Sequence, residues 1–386
     1  MEAAKVSPTP RVHLDFIEGM RATAALMVLL NHGYAQIASS SEFPPRALSF
    51  LTYSMVTGHL AVSVFICISG FCLMLPVARG DGTLKGGTLH FFKRRARRIL
   101  PPYYAALLLS LFLIVTVIGK PTGTLWDVCI AIRASDLASH FLLLQHFFGT
   151  GRINYSFWSI SLEWQIYFFF PLLVVAFRRI GAPITTTVAL AAGYAITLLI
   201  GPEHERIHRA NLHYMGLFTL GMAAACVAFG RGETTRRLRE RAPWAIFAAV
   251  LVLLQVGLMK YWGWTSAIDH WPLLDLLSAA AVAFMLVAAV LPGTNPVRRI
   301  FELRPLVSIG RYSFSLYLVH APLMQLFWQY LLKPLGISGV PAFAALAIVG
   351  TPLILLLARV FYRLVEEPFT SARAATPVAA APPAAS

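Results

Sequence analysis

Residues 56–78 read VTGHLAVSVFICISGFCLMLPVA, 23 residues without one Asp, Glu, Lys or Arg. A helix needs about 20 mostly apolar residues to cross the hydrocarbon of a bilayer, so this stretch predicts a membrane span. Working outward, nine more stretches have the same character. Before it lies Met20–Ala38; after it come Ile99–Ile118, Phe157–Phe177, Pro183–Ile200 and Tyr214–Phe229. The series closes with Pro243–Met259, Leu273–Leu291, Ser308–Leu331 and Pro341–Phe361. Leu137–Phe148 is too short to cross and reads as a re-entrant or interfacial piece. The expected fold is all-α, a polytopic membrane bundle of about ten transmembrane helices occupying residues 1–371. The Ala/Pro-rich residues 372–386 read as a disordered tail.

Composition agrees with the spans. The 386 residues are 58% hydrophobic and only 13% charged, where a soluble domain carries roughly a quarter charged residues. The net charge of +15 does not imply a nucleic-acid partner, because the basic residues are scattered between apolar stretches instead of covering one face. Alternate loops hold 22 and 8 of the Lys and Arg residues, with Arg21 and Arg359 at span ends. The positive-inside bias then predicts both termini in the cytoplasm of a multi-pass cell-membrane protein. The first stretch lacks a small-residue cleavage site and begins beside Arg21, which reads as a retained span and not as a signal peptide. Cys67, Cys72, Cys129 and Cys226 have neither zinc spacing nor the look of a disulfide framework, and Cys67 and Cys72 read as small core residues. No histidine pair has a metal-ligand arrangement, so no metal is expected.

Ionisable groups inside spans cost on the order of 2.5–3.5 kcal/mol each by insertion scales, and those set too deep to snorkel are informative. Arg21 and His32 are eleven residues apart, about 20° past three full turns and roughly 16 Å along one helix face. Each alone also reads as a flank or a hydrogen-bonded core residue; the shared face favours function. Glu163, in FWSISLEWQIY (residues 157–167), lies about 9 Å inside its span and has no cation on its own helix at i±3 or i±4. It must find a partner elsewhere, stay protonated or face water. In FFKRRARRILPPYY (residues 91–104), Arg94, Arg95, Arg97 and Arg98 form two i,i+3 pairs suited to a phosphate or pyrophosphate. Ordinary cytoplasmic flanking or lipid head-group contact explains the same run. Pro101 and Pro102 read as first-turn prolines of the third span. His320 sits mid-span before Pro322, as either a packing or a working residue.

In sequence order these residues resemble the membrane acyltransferase-3 family, over roughly Leu14 to Phe369. The family's acidic-Gly-apolar-Arg, ten residues, then His is similar to Glu18-Gly19-Met20-Arg21 through His32, with Glu in place of the usual Asp. Its paired-arginine motif matches Arg95 and Arg98, its Trp-Ser-x-x-x-Glu matches Trp158, Ser159 and Glu163, and its Tyr-Leu-x-His matches Tyr317, Leu318 and His320. Ser69-Gly70-Phe71 and Glu367-Pro368-Phe369 match two more. Ser63 and Trp164 depart from the pattern, standing where relatives often carry acids. No Gly-Asp-Ser-Leu esterase-like segment follows the spans in this sequence.

The resemblance implies an acyl-CoA-dependent O-acyltransferase with acyl-CoA, most readily acetyl-CoA, as co-substrate and no permanently bound cofactor. The acceptor it implies is a hydroxyl of a glycan or other carbohydrate, such as a cell-surface or exported polysaccharide. His32 would be the general base, with Glu163 orienting it; Arg21, Arg95 and Arg98 would bind the donor; Ser159, Tyr317 and His320 would be cavity residues. Membrane lipid is the surrounding partner, and a homo-oligomer is an allowed assembly. Two other readings share these residues: a transporter or flippase using them as a polar pathway, and an acyltransferase acting on a cytosolic small molecule such as a macrolide.

Overall fold

A computed structural model of the protein describes residues 14–38, 50–148, 151–200, 209–291 and 295–371; the 372–386 tail lies outside them. Every one of the ten apolar stretches is a helix. They are α1 (Asp15–Ala38), α2 (Phe50–Arg79), α3 (Gly87–Ile118), α4 (Tyr155–Arg179) and α5 (Ala182–Leu199). The second half adds α6 (His213–Phe229), α7 (Trp244–Ala267), α8 (Trp271–Val290), α9 (Ser313–Phe327, continued by π turns to Leu332) and α10 (Gly339–Thr370). Seven of these, α2, α3, α4, α5, α7, α8 and α10, are long and apolar enough to cross a membrane, or eight if α6 and the basic helix Glu233–Arg241, bent by 98°, count as one. Two of the expected ten, α1 and α9, fall short because polar side chains dilute them: Arg21, Asn31, His32 and Gln36 in one, His320, Gln325 and Gln329 in the other. The chain is an all-α, multi-pass membrane bundle.

Burial separates the helices into layers. In α2 and α8, 67% and 61% of the most apolar window is covered by protein, against 17% in both α5 and α7. α2 and α8 therefore form the interior, while α5 and α7 turn residues such as Val188, Leu199, Leu253 and Val256 outward. Apolar side chains gain nothing by leaving lipid for protein, so the interior helices are held by close packing and polar contacts. The α2–α6 seam shows this. A Cβ added to Gly70 would lie 2.1 Å from the Phe218 carbonyl oxygen, and one on Gly221 would lie 1.9 Å from that of Cys67. Only glycine lets the two backbones meet there.

Two readings of the sequence need correction. α3 begins at Gly87, so Arg94–Arg98 are helical and Pro101 and Pro102 lie in its interior, not in its first turn. Cys67 is buried and donates to the Ala279 carbonyl (3.4 Å), but Cys72 is exposed and lines a cavity. The short piece between α3 and α4 does not cross: an eight-residue helix, Ala134–Phe141, folds back through turns and is tied to α3 by Tyr103 and Tyr104, whose hydroxyls donate to the carbonyls of His140 and Phe141.

Candidate active site

A cavity of about 210 Å³ opens between α1, α2, α3, α4 and α9. Arg21, Arg95, Arg98, Glu163, Ser159 and Tyr317 all line it. Six positions from four helices, picked out on charge, depth and motif, thus share one chamber. A second depression, about 370 Å³, shares Cys72, Leu73, Arg95 and Arg98 with the first and adds Arg94 and Arg97. The two i,i+3 stripes consequently divide the work: Arg95 and Arg98 face the chamber, Arg94 and Arg97 only its vestibule. In the loop between α2 and α3, Asp81 accepts from the Thr83 amide (3.0 Å) and hydroxyl (2.6 Å), which holds its carboxyl below the usual range.

The charges in the chamber are only partly matched. Arg21 Nη1 lies 3.7 Å from Glu18 Oε2, with about a fifth of the arginine side chain exposed. Arg95 Nε is buried and has no acceptor among the described residues. Glu163 accepts a hydrogen bond from Tyr167 one turn along α4, and the Tyr167 hydroxyl lies 2.8 Å from that of Ser69. Glu366, near the end of α10, is buried and accepts from Ser315 at 2.5 Å. A buried guanidinium nitrogen with no acceptor is a vacant donor for an anion.

His32 lies one layer beyond this chamber. Its Nδ1 is 2.8 Å from His320 Nε2. The two rings are within 10° of parallel and their centroids are 5.0 Å apart, the spacing of imidazoles joined in line and not face to face. His320 Nδ1 in turn lies 2.8 Å from the Tyr317 carbonyl and 3.2 Å from that of Leu316. Carbonyl oxygens only accept, so His320 Nδ1 carries the proton and its Nε2 is the acceptor. His32 must then donate from Nδ1, which leaves the lone pair on its Nε2. The Tyr155 ring stands edge-on to His32 at 4.9 Å, with its own hydroxyl buried and unpartnered among the described residues.

The expected contact between His32 and Glu163 is not made. Tyr155, which touches His32, precedes Glu163 by eight residues, about 12 Å along α4. His320 orients His32 instead, and Glu163 belongs with the arginines. The two levels are joined by one hydroxyl pair: Ser159 Oγ and Tyr317 Oη, 2.6 Å apart, lie one turn from Glu163 and from His320 respectively.

A buried cluster around Asp275 escaped the sequence reading altogether. Asp275 has 1% side-chain exposure. Its Oδ1 accepts from Ser63 at 2.5 Å, and its Oδ2 lies 3.2 Å from His213 Nε2 and 3.5 Å from His59 Nε2. The signal was present: a lone Asp four residues into an apolar run is the same warning that flagged Glu163. Ser63, noted only as a missing acid, proves to be the hydroxyl that serves an acid on another helix.

Several known proteins resemble the chain over most of its length. The O-acetyltransferase OatA of Staphylococcus aureus is 23% identical across 93% of this chain and 57% of its own length. The acyltransferase MdmB of Streptomyces mycarofaciens is 25% identical across 81% of this chain and 79% of its own. The peptidoglycan O-acetyltransferase OatA of Listeria monocytogenes is 21% identical across 82% and 50%. The chain therefore spans about half the length of the OatA relatives. No solved structure matches it. The family model described as an acyltransferase domain matches residues 14–359, which takes in His32, both arginine pairs, Glu163 and His320, and the chain accordingly belongs to the acyltransferase-3 family.

Proposed function

We propose that this membrane protein transfers an acyl group, in the first instance acetyl, from cytosolic acyl-CoA to a hydroxyl of a carbohydrate acceptor on the opposite side of the bilayer. The observation that carries the reading is the in-line His32–His320 pair. It leaves the lone pair of His32 on Nε2, as a general base needs, and the Ser159–Tyr317 bridge leads toward the chamber lined by Arg21, Arg95 and Arg98.

The donor's phosphates sit on Arg95 and Arg98, where the unpaired Arg95 Nε–H gains an acceptor, and Arg21 adds a third positive charge. The thin pantetheine arm runs past Tyr167 and Glu163 toward the Ser159–Tyr317 level. His32 Nε2 takes the proton of the acceptor hydroxyl as its oxygen attacks the thioester carbonyl. The carbon–sulfur bond breaks, the new ester leaves with the acceptor, and the thiolate of CoA recovers the proton from the His32 imidazolium. His320 stabilises that imidazolium by accepting from its Nδ1, the part a carboxylate plays in a hydrolase triad. Glu163, through Tyr167 and Ser69, shapes the arm's passage and balances the arginines.

The test is an assay of purified protein with radiolabelled acetyl-CoA and a glycan acceptor. His32→Ala should lower transfer by about 10²–10⁴-fold, the usual worth of a general base, with the protein still folded in detergent. Transfer near the wild-type rate in that variant rejects the base assignment. Movement of a glycan or small molecule across vesicles with no label transferred returns the transporter reading.

A further inference from the structure

The cluster around Asp275 lies outside the donor chamber, and its construction is elaborate for a packing contact. Four helices meet in it. α8 brings Trp271 and Asp275, one turn apart on one face; α2 brings His59 and Ser63 in the same relation; α6 brings His213 and Tyr214 in its first turn; α4 brings Trp158 near its start. His59 is the piece that reaches out. Its side chain is 31% exposed, whereas the carboxylate behind it is 1% exposed. The imidazole lies against two indoles, with its centroid 4.1 Å from Trp271 and 5.9 Å from Trp158, the latter nearly parallel at 13°. Its Nε2 is 3.2 Å from the Tyr214 hydroxyl and 3.5 Å from Asp275 Oδ2. A nitrogen facing a carboxylate carries the proton, so the lone pair of His59 is on Nδ1, at the ring's other edge.

Two contacts join the helices of this group to the elements that hold His32. Gly58 abuts Asn31, with a built Cβ only 2.1 Å from the Asn31 Cβ, so His59 and His32 follow immediately after the point where α2 and α1 touch. Trp158 stands one turn along α4 from Tyr155, the residue edge-on to His32. An interfacial belt explains Trp at a membrane boundary, but it has no need of an imidazole that is tied to a buried carboxylate and lies against two indoles. Flat aromatic faces offered together with one oriented hydrogen-bond acceptor suit a ring that is apolar on its faces and hydroxylated at its rim.

We propose that Trp158, His59 and Trp271 form the acceptor subsite, a platform for one pyranose ring that turns a hydroxyl toward His32. The inference rests on the acyltransferase reading above and adds to it the chemistry that holds the acceptor. The indoles cover the C–H face of the sugar, and His59 Nδ1 accepts from one of its hydroxyls. Asp275 is a positioning residue: it touches no sugar and fixes the tautomer and tilt of His59.

The experiment uses the purified full-length protein, acetyl-CoA and methyl α-D-glucopyranoside as the probe, with thiol release followed as each substrate is varied. Trp271→Leu should raise the KM for the pyranoside about tenfold or more, with the KM for acetyl-CoA unmoved, and Trp271→Phe should recover most of the loss. His59→Gln and Asp275→Asn should raise the same KM with a smaller change in kcat. A pyranoside KM within about twofold of wild type in both Trp271→Leu and His59→Gln overturns the platform while leaving the acyltransferase reading intact. Wild-type protein that releases no thiol with this or any other pyranoside overturns both. If Trp271→Leu does not fold, His59→Gln decides the matter by the same KM ratio.

Discussion

Glu163 and Asp275 are both single carboxylates set one or two turns inside apolar helices, yet their surroundings are opposite. Glu163 lines a chamber, has one close donor in Tyr167 and shares its space with three guanidiniums. Asp275 is sealed at 1% exposure and is held by a serine and two histidines from two other helices. A carboxylate that faces water or a substrate keeps its hydration and contributes little to folding. One that is fully enclosed must have all its lone pairs met, and its partners become unsatisfied if it is removed. The first arrangement is a working surface; the second is a fastening that also aims His59 outward.

The sharpest way to break this contrast is to delete each acid. Asp275→Ala leaves Ser63, His59 and His213 without their acceptor and should cost about 3–5 kcal/mol, read as a large drop in the detergent-solubilised Tm and poor recovery of folded protein. Glu163→Gln should leave Tm close to wild type and act on transfer alone. If the two variants lose the same stability, the distinction between working surface and fastening fails. Next in size, Arg95→Ala with Arg98→Ala removes two charge-assisted contacts of about 1.5–3 kcal/mol each. The KM for acyl-CoA should rise by at least about 10²-fold, while acceptor KM stays put; an unchanged donor KM would return these arginines to topology. A smaller effect sharpens the picture of the chamber. Cys72 should react with a maleimide and be protected by acyl-CoA, whereas buried Cys67 should not react; equal labelling of the two would contradict the cavity's shape. Ser159→Ala, which breaks only the hydroxyl bridge to Tyr317, should cost about 0.5–1.5 kcal/mol, a few-fold in transfer rate.

Much of the architecture was readable because membrane helices announce themselves by length and apolarity, one segment at a time. The helical stripe holding Arg95 and Arg98, the depth of Glu163 and the shared face of Arg21 and His32 are likewise properties of single helices, and spacing rules reach that far. What was not readable is who meets whom. His32 and His320 are 288 positions apart, and Ser63 and Asp275 are 212 apart; no periodicity relates residues on different helices. Depth alone therefore suggested Glu163 as the partner of His32, where packing supplies His320. Asp275 is a different case, a residue whose cost could be read from its own span and was passed over.

The glycine contact between α2 and α6 has a mechanical corollary. With the two backbones in direct touch at Gly70 and Gly221, no side chains lie between them to slide or re-pack, so the wall bearing Ser69 and Cys72 behaves as a fixed jamb. Any widening of the chamber then falls to the facing side, where α3 carries Arg95 and Arg98.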